Sequence, residues 1–223
     1  MTQRWDSLSF LHWRYEPADV QRLLPEPLVV DAFDGSAWVG LVPFEMQRVR
    51  PPWLPTLGPW SRFCETNVRT YVVGPDGDRG VYFFSLDAAQ RAPVVTARLG
   101  YRLPYHWSHM AIRRSDAEIA YTCLRRWPRP AGAVSRIRVA PGAAVETTPL
   151  DRFLTARWCL YQSARGRVRR TDVHHEPWPL AEATVTSLDD ELVAASGLRP
   201  PAGPALVRYS PGIDVRIGYP RRV

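Results

Sequence analysis

Two strand-like runs, Glu65 to Val73 and Gly80 to Asp87, flank the turn Gly74-Pro75-Asp76-Gly77-Asp78 and together read as a β-hairpin with a polar stripe. Side chains on a strand alternate between faces, so Glu65, Asn67, Arg69 and Tyr71 line one side while Thr66, Val68, Thr70 and Val72 line the other. Ser85 and Asp87 likewise share a face. These polar residues sit among Val, Tyr and Phe in a chain whose apolar content suits a closed β-structure. Inward polar groups in a barrel mark a pocket, so the hairpin is expected to line a place for chemistry or binding.

All 29 residues in the Lys+Arg count are arginine. No lysine side chain is present to form a Schiff base. Arginine offers a planar fork of donors for carboxylate or phosphate but is a poor nucleophile and proton shuttle. Arginine-rich codon usage accounts for the pattern without any functional meaning, yet lysine chemistry is excluded either way.

At 223 residues and 45% hydrophobic content, the chain is expected to form one domain spanning 1–223. The 22 prolines and 14 glycines recur at short intervals, which suits many strands with tight connections. A formal charge of +7 permits attraction to polyanions, but the arginines are scattered. The run Arg165-Gly166-Arg167-Val168-Arg169-Arg170 reads as a hairpin turn with solvated charges, and no nucleic-acid-binding motif accompanies it. Cys64, Cys123 and Cys159 are odd in number and widely spaced, so reduced, buried thiols are expected. The N-terminal residues lack a signal-peptide apolar region, and no apolar run approaches the ~20 residues needed to span a bilayer. The expected compartment is the cytoplasm, without membrane partners.

Along the chain, Leu8 to Tyr15 reads as a strand and Pro17 to Leu24 as a short helix with proline near its start. Leu28 to Phe33, Asp34-Gly35 and Ala37 to Val49 read as a hairpin, and the proline-rich 51–60 segment as an ordered loop. Helical potential spans Ala88 to Leu99, with Val94, Val95, Arg98 and Tyr101 on one face. Further strands are expected at His106 to Arg113, Ala117 to Arg126, Ser135 to Val139, Arg157 to Tyr161, Val168 to His174, Leu180 to Leu188 and Leu206 to Gly218. Short helices are expected at Leu150 to Ala156 and Asp189 to Ser196, and Tyr209 to Val215 reads as two strands meeting at a turn.

The motifs that would fix an enzyme class, among them Gly-x-Gly-x-x-Gly, Gly-x-Ser-x-Gly and His-Glu-x-x-His, are missing. His174-His175-Glu176 invites a metal, but neighbours on a strand point opposite ways and Pro177 follows directly. No metal or cofactor is expected. Glu65 and Arg69 lie roughly 13 Å apart along one strand face with Asn67 between them. They read equally as a structural ion pair inside a barrel and as parts of a site. An ion pair would hold Glu65 ionised, whereas an apolar pocket would raise its pKa and suit it to general acid or base work. Asp87 and Arg98 carry the same ambiguity, with Asp87 as a helix cap the plain alternative.

The segments resemble the YqjF-like family, also called DUF2071. The resemblance runs through Phe10-Leu11-His12-Trp13, Leu23-Leu24-Pro25, Phe33 to Trp38, Val42-Pro43-Phe44, Glu65 to Tyr71, Phe84 to Asp87, Ala97-Arg98, Leu103-Pro104-Tyr105, Trp158 to Tyr161, His175 to Leu180 and Tyr209-Ser210. It implies a mainly β, acetoacetate decarboxylase-like fold: an antiparallel, barrel-like sheet around a central cavity with a few short helices. Acetoacetate decarboxylase uses a lysine Schiff base. The similar place here is Pro104-Tyr105-His106, so Tyr105 and His106 stand where lysines would be. The resemblance implies Glu65 as the cavity carboxylate and Arg14, Arg69 and Arg98 as anion anchors.

The sequence thus points to a cavity lined by Glu65, Asn67, Arg69, Ser85, Asp87, Arg98 and Tyr105, with Arg14 and His106 beside it, binding a small anionic or carbonyl-containing molecule. Any catalysis would be acid–base chemistry of lyase or isomerase type, with Glu65 and Tyr105 as the reacting groups and no imine. A non-catalytic ligand-binding or accessory protein is the alternative, and a basic nucleic-acid-binding protein the third reading. Exposed strand edges make a homo-oligomer plausible.

Overall fold

The structure is a computed structural model that describes residues 1–50, 58–91, 94, 98, 103–164 and 166–223. Thirteen strands form one sheet: β1 (Thr2–Tyr15), β2 (Val29–Val30), β3 (Ala37–Arg50), β4 (Phe63–Val73), β5 (Arg79–Ala88), β6 (Tyr105–Arg114), β7 (Ile119–Trp127), β8 (Val134–Ala144), β9 (Cys159–Ala164), β10 (Arg167–His175), β11 (Ala181–Asp190), β12 (Leu206–Ile217) and β13 (Arg221–Arg222). Helices α1 (Pro17–Gln21), α2 (Pro149–Thr155) and α3 (Leu192–Ala195) are short, and Gly58–Ser61 forms a 3-10 turn. Residues 51–57 of the proline-rich segment lie outside the described residues. So do Val95 and Tyr101 of the expected helix, of which Arg91, Val94 and Arg98 are helical.

The sheet is not a regular barrel. Its linear order runs β13-β10-β9-β5-β6-β7-β8-β11-β12-β1-β3-β4-β2, and the extra pairings β10–β12 and β5–β4 close it on itself. One ring passes through β5, β9, β10, β12, β1, β3 and β4, and a second through β5, β6, β7, β8, β11, β12, β1, β3 and β4. The rings share β12, β1, β3, β4 and β5, so these strands separate two interiors. Almost every residue from Leu8 to Trp13, Ala37 to Met46 and Glu65 to Val72 is buried, as expected of strands covered on both faces. Leu8, Phe10, Phe44, Tyr71, Val81, Leu86, Leu160 and Val215 pack into the first interior. Leu11, Trp13, Val39, Val68, Tyr121, Ile137 and Val139 pack into the second.

Four sequence expectations change. The sheet is antiparallel except at β5–β6 and β5–β9, which are parallel. β2 pairs with β4 rather than folding back on β3, and Phe33 and Ser36 form only an isolated bridge around Asp34-Gly35. Tyr209 to Val215 lies within the single strand β12; Gly212, at φ +125°, passes so close to β1 that a Cβ there would fall 2.4 Å from the Trp5 carbonyl oxygen. The fourth change concerns the polar hairpin. Val68 faces Ser85 while Arg69 faces Phe83, so Phe84 is an extra, bulged residue on β5. A one-residue slip moves side chains to the opposite face. Ser85 and Asp87 therefore lie with Thr66 and Val68 in the second interior, away from Glu65 and Asn67.

Candidate functional site

The first interior holds a row of buried polar side chains contributed by β1, β4 and β6. Glu65, Asn67, Arg69 and Tyr71 follow one another along β4, every one of them less than a tenth exposed. Tyr105, facing Leu86 across β5–β6, donates its O–H to Glu65 Oε2 at 2.8 Å. Burial pushes the Glu65 carboxyl up to about 8, against the Tyr105 bond that lowers it, with the Asp87 charge adding to the rise. The Tyr105 phenol is in turn driven well above its ordinary value by burial and by Glu65. At neutral pH Glu65 is a carboxylic acid holding a proton it can give.

The helix α2 supplies the other end. Thr148 and Asp151 form a capping box, each side chain accepting from the other's backbone N–H, with Pro149 in the first turn. This places the Leu154 carbonyl, in the last helical turn where carbonyls lack helix partners, over β4. Tyr71 donates its O–H to it at 2.8 Å and Arg69 an N–H at 3.2 Å. Having given its single proton, the Tyr71 oxygen accepts from His12 Nε2 at 2.7 Å. Burial and the Arg69 charge lower the His12 pKa well below its usual value, so the ring is neutral with its proton on Nε2.

Glu65 and Arg69 do not form the ion pair that their spacing allowed. Arg69 is 7% exposed and, among the described residues, has no carboxylate partner. Its guanidinium lies over Phe10 and Tyr71, at 5.5 and 5.7 Å from the ring centroids, and its Nε has no acceptor. Asn67 Oδ1 is equally buried and unpartnered. A buried cation and a buried acceptor are thus left with unused valence between the acid and the helix end.

The remaining expected site residues fall elsewhere. Asp87 accepts from Arg125 through both carboxylate oxygens, at 2.9 and 2.6 Å, and from Ser108 at 2.7 Å. That is an internal ion pair of the second interior, not a helix cap. Ser85 meets Ser196 at 3.2 Å. His106 faces the Asp87 side of β6, where burial and Arg125 lower its pKa to about 4 and its Nδ1 has no partner. Arg14 is exposed, bonds Asp34 and Ser36 and lies 4.9 Å over Trp38. Arg98 donates to the Tyr105 carbonyl, so it supports the strand that carries Tyr105. His12 and Arg125 were not singled out from sequence. The alternation of Phe10 and His12 on β1 was the available signal for the first, and Arg125 gave none.

His174, His175 and Glu176 border an open groove of about 750 Å³ beside Trp158, where His175 is held by backbone carbonyls of Glu176 and Arg157. Among the described residues no group of three or more His, Cys, Asp or Glu side chains is placed to hold a metal ion. Among the same residues no helix is long and apolar enough to cross a membrane.

The fold is that of acetoacetate decarboxylase-like structures, with which the chain aligns over its whole length. Over 100% of this chain and 92% of the other, it matches an acetoacetate decarboxylase-like enzyme from Sphingomonas wittichii RW1 with a TM-score of 0.67 at 16% identity. The acetoacetate decarboxylase of Legionella pneumophila gives 0.63 at 11% identity, covering 100% and 87% of the two chains. The enduracididine biosynthesis enzyme MppR complexed with pyruvate gives 0.66 at 12%, covering 99% and 89%. At such identities the likeness concerns the fold alone. The chain itself belongs to the DUF2071 family, described as an uncharacterized conserved protein, whose model matches residues 2–214. It is 34% identical over 217 residues to the uncharacterized protein YqjF of Bacillus subtilis (strain 168), spanning 96% of this chain and 89% of that one.

Proposed function

We propose that the first interior binds a small organic acid, with the carboxylate on Arg69 and a carbonyl or hydroxyl group between Glu65 and Asn67. The observation that carries this reading is Arg69 itself, a buried cation without a carboxylate partner among the described residues. An unpaired buried charge costs several kcal/mol in principle, and an anionic ligand is the natural means of offsetting it. Glu65, protonated near neutrality, is suited to donate to an oxygen on which negative charge develops, and Tyr105 then stabilises the carboxylate left behind. A keto acid is the substrate class that uses both ends. The neighbour solved with pyruvate supports that choice by fold analogy. Because the chain lacks lysine, enolisation, isomerisation or hydration by acid–base steps is the chemistry proposed, in place of an imine.

A non-catalytic binder is the second reading. It is favoured by the engagement of both Arg69 and Tyr71 with Leu154, a scaffold role that needs no turnover. Thermal melts of wild type and Arg69→Met against pyruvate, longer 2- and 3-keto acids and hydroxy acids test the proposal. A dose-dependent rise in Tm, absent in a folded Arg69→Met variant, is expected because a ligand selective for the native state must stabilise it. Equal shifts in both proteins, or none in either, would overturn it. Glu65→Gln then separates the readings: an enzyme loses turnover while keeping affinity within a few fold, and a binder has none to lose.

A further inference from the structure

Two further polar residues face the interior that holds Glu65 and Arg69. Leu160, on β9, packs into the first interior, and Gln162, two positions along the same strand with no shift in register, points the same way. Tyr161, between them, packs on the opposite face with Leu24, Leu28 and Val72. On β10, Thr171 lies directly across from Leu160 and two positions before Val173, another side chain of the first interior, so it too faces inward. The strand pairings bring both residues beside the site. Arg69 faces Phe83 across β4 and β5, and the parallel pairing of Val81 with Leu160 and of Tyr82 with Tyr161 sets Gln162 next to Phe83. Arg69 and Gln162 are thus two strands apart, about 10 Å between backbones, with Phe83 between them.

Both residues hold idle polar atoms. Gln162 is 2% exposed and Thr171 is fully buried, and among the described residues neither the Gln162 amide oxygen and nitrogen nor the Thr171 hydroxyl has a hydrogen-bond partner. With Arg69 Nε and Asn67 Oδ1, they leave unmet donors and acceptors on β4, β9 and β10 around one interior. Such atoms cost stability when buried, and one ligand reaching all three strands relieves them together. The two sides differ in chemistry. Arg69 offers charge-assisted donors to a carboxylate, whereas Gln162 and Thr171 are neutral and both donate and accept. A carboxamide or hydroxyl group satisfies that pair. A second carboxylate would meet the nitrogen and the hydroxyl but leave the amide oxygen facing charge. Arg169 stands opposite Gln162 on β10 but is only half-buried, so water solvates its charge.

Resting on the keto-acid reading, we propose that Gln162 and Thr171 are specificity-determining residues that take the far end of the substrate, which is therefore a keto acid ending in a carboxamide or hydroxyl group. Calorimetric titration of the whole chain with glutaramate tests it. The controls are 5-methylhexanoate and glutarate, which keep one carboxylate and the carbon chain but end in an isosteric isopropyl group and in a second carboxylate. Glutaramate is expected to bind tighter than either by about tenfold or more, because a site built to hydrogen-bond a polar group rejects analogues that lack it. Gln162→Leu should erase that preference by weakening glutaramate while 5-methylhexanoate binds as well or better. Thr171→Val should reduce it, and serves as the second variant should the first fold poorly. Arg69→Met should weaken all three acids. Binding of 5-methylhexanoate that depends on Arg69, without a preference for glutaramate, would overturn the far-end assignment and leave the keto-acid reading standing. A preference for glutaramate that survives Gln162→Leu and Thr171→Val would overturn it as well, and binding of none of the three acids would overturn both.

Discussion

Glu65 shows how a single buried group reports on its surroundings. Its carboxyl titrates near 4.5 when exposed and about 8 in the folded chain, so between these values the native state holds a proton that the unfolded state has released. Stability contributed by this group is therefore full below about pH 4.5 and is lost as pH rises through 8. At about 1.4 kcal/mol per unit, the loss amounts to a few kcal/mol at most. Glu65→Gln, uncharged at every pH, is expected to flatten that decline and to be more stable than wild type at pH 8, as urea titrations at pH 5, 6.5 and 8 would reveal. Tyr105→Phe makes the complementary prediction. The Tyr105 hydrogen bond lowers the Glu65 pKa, so its removal should push the carboxyl above 8, read from the infrared carboxylate band. A fall would mean that burial is not the dominant cause.

Among elements, β5 is where sequence and structure part most instructively. The hairpin itself was legible, because alternating apolar residues flank a Gly-Pro-Asp-Gly turn and local pairing needs little loop closure. The Phe84 bulge was not, since one unpaired residue leaves no mark on the alternation, yet it decides that Asp87 faces Arg125 rather than Glu65. Nor could Arg125 be read as a partner, lying 38 positions away on β7. The pair is 0% and 1% exposed, so removing one member strands the other in the interior. Asp87→Ala is expected to lose about 3–5 kcal/mol in denaturant melts, whereas the volume-filling double variant Asp87→Leu/Arg125→Leu should lose much less. Similar losses in both would assign the effect to packing. β12 gives a smaller case. With Gly212 confined to positive φ against Trp5, Gly212→Ala should cost roughly 1–3 kcal/mol, more than an exposed Gly→Ala change elsewhere.

For the whole molecule, the consequence of two rings sharing five strands is coupling. The sequence conveyed the β-rich class and the strands at Leu8 to Tyr15 and Glu65 to Val73, but the ring closures join segments far apart in the chain. β12 touches β1, β10 and β11, and no local pattern announces three partners for one strand. Because residues such as Val68 and Asn67 are neighbours on β4 yet pack into opposite interiors, neither interior can open without exposing the reverse face of strands that the other requires. Unfolding is thus expected to be one cooperative transition despite two cores. Asp87→Ala damages the second interior alone, so it is the decisive variant. Trp178 packs with Trp5 and Phe10 in the first interior, and Trp13 lies in the second. Near-UV circular dichroism and hydrogen exchange on Asp87→Ala should show both regions melting together at one lowered midpoint. A protected first interior surviving above that midpoint would mean that the shared strands hold one ring without the other.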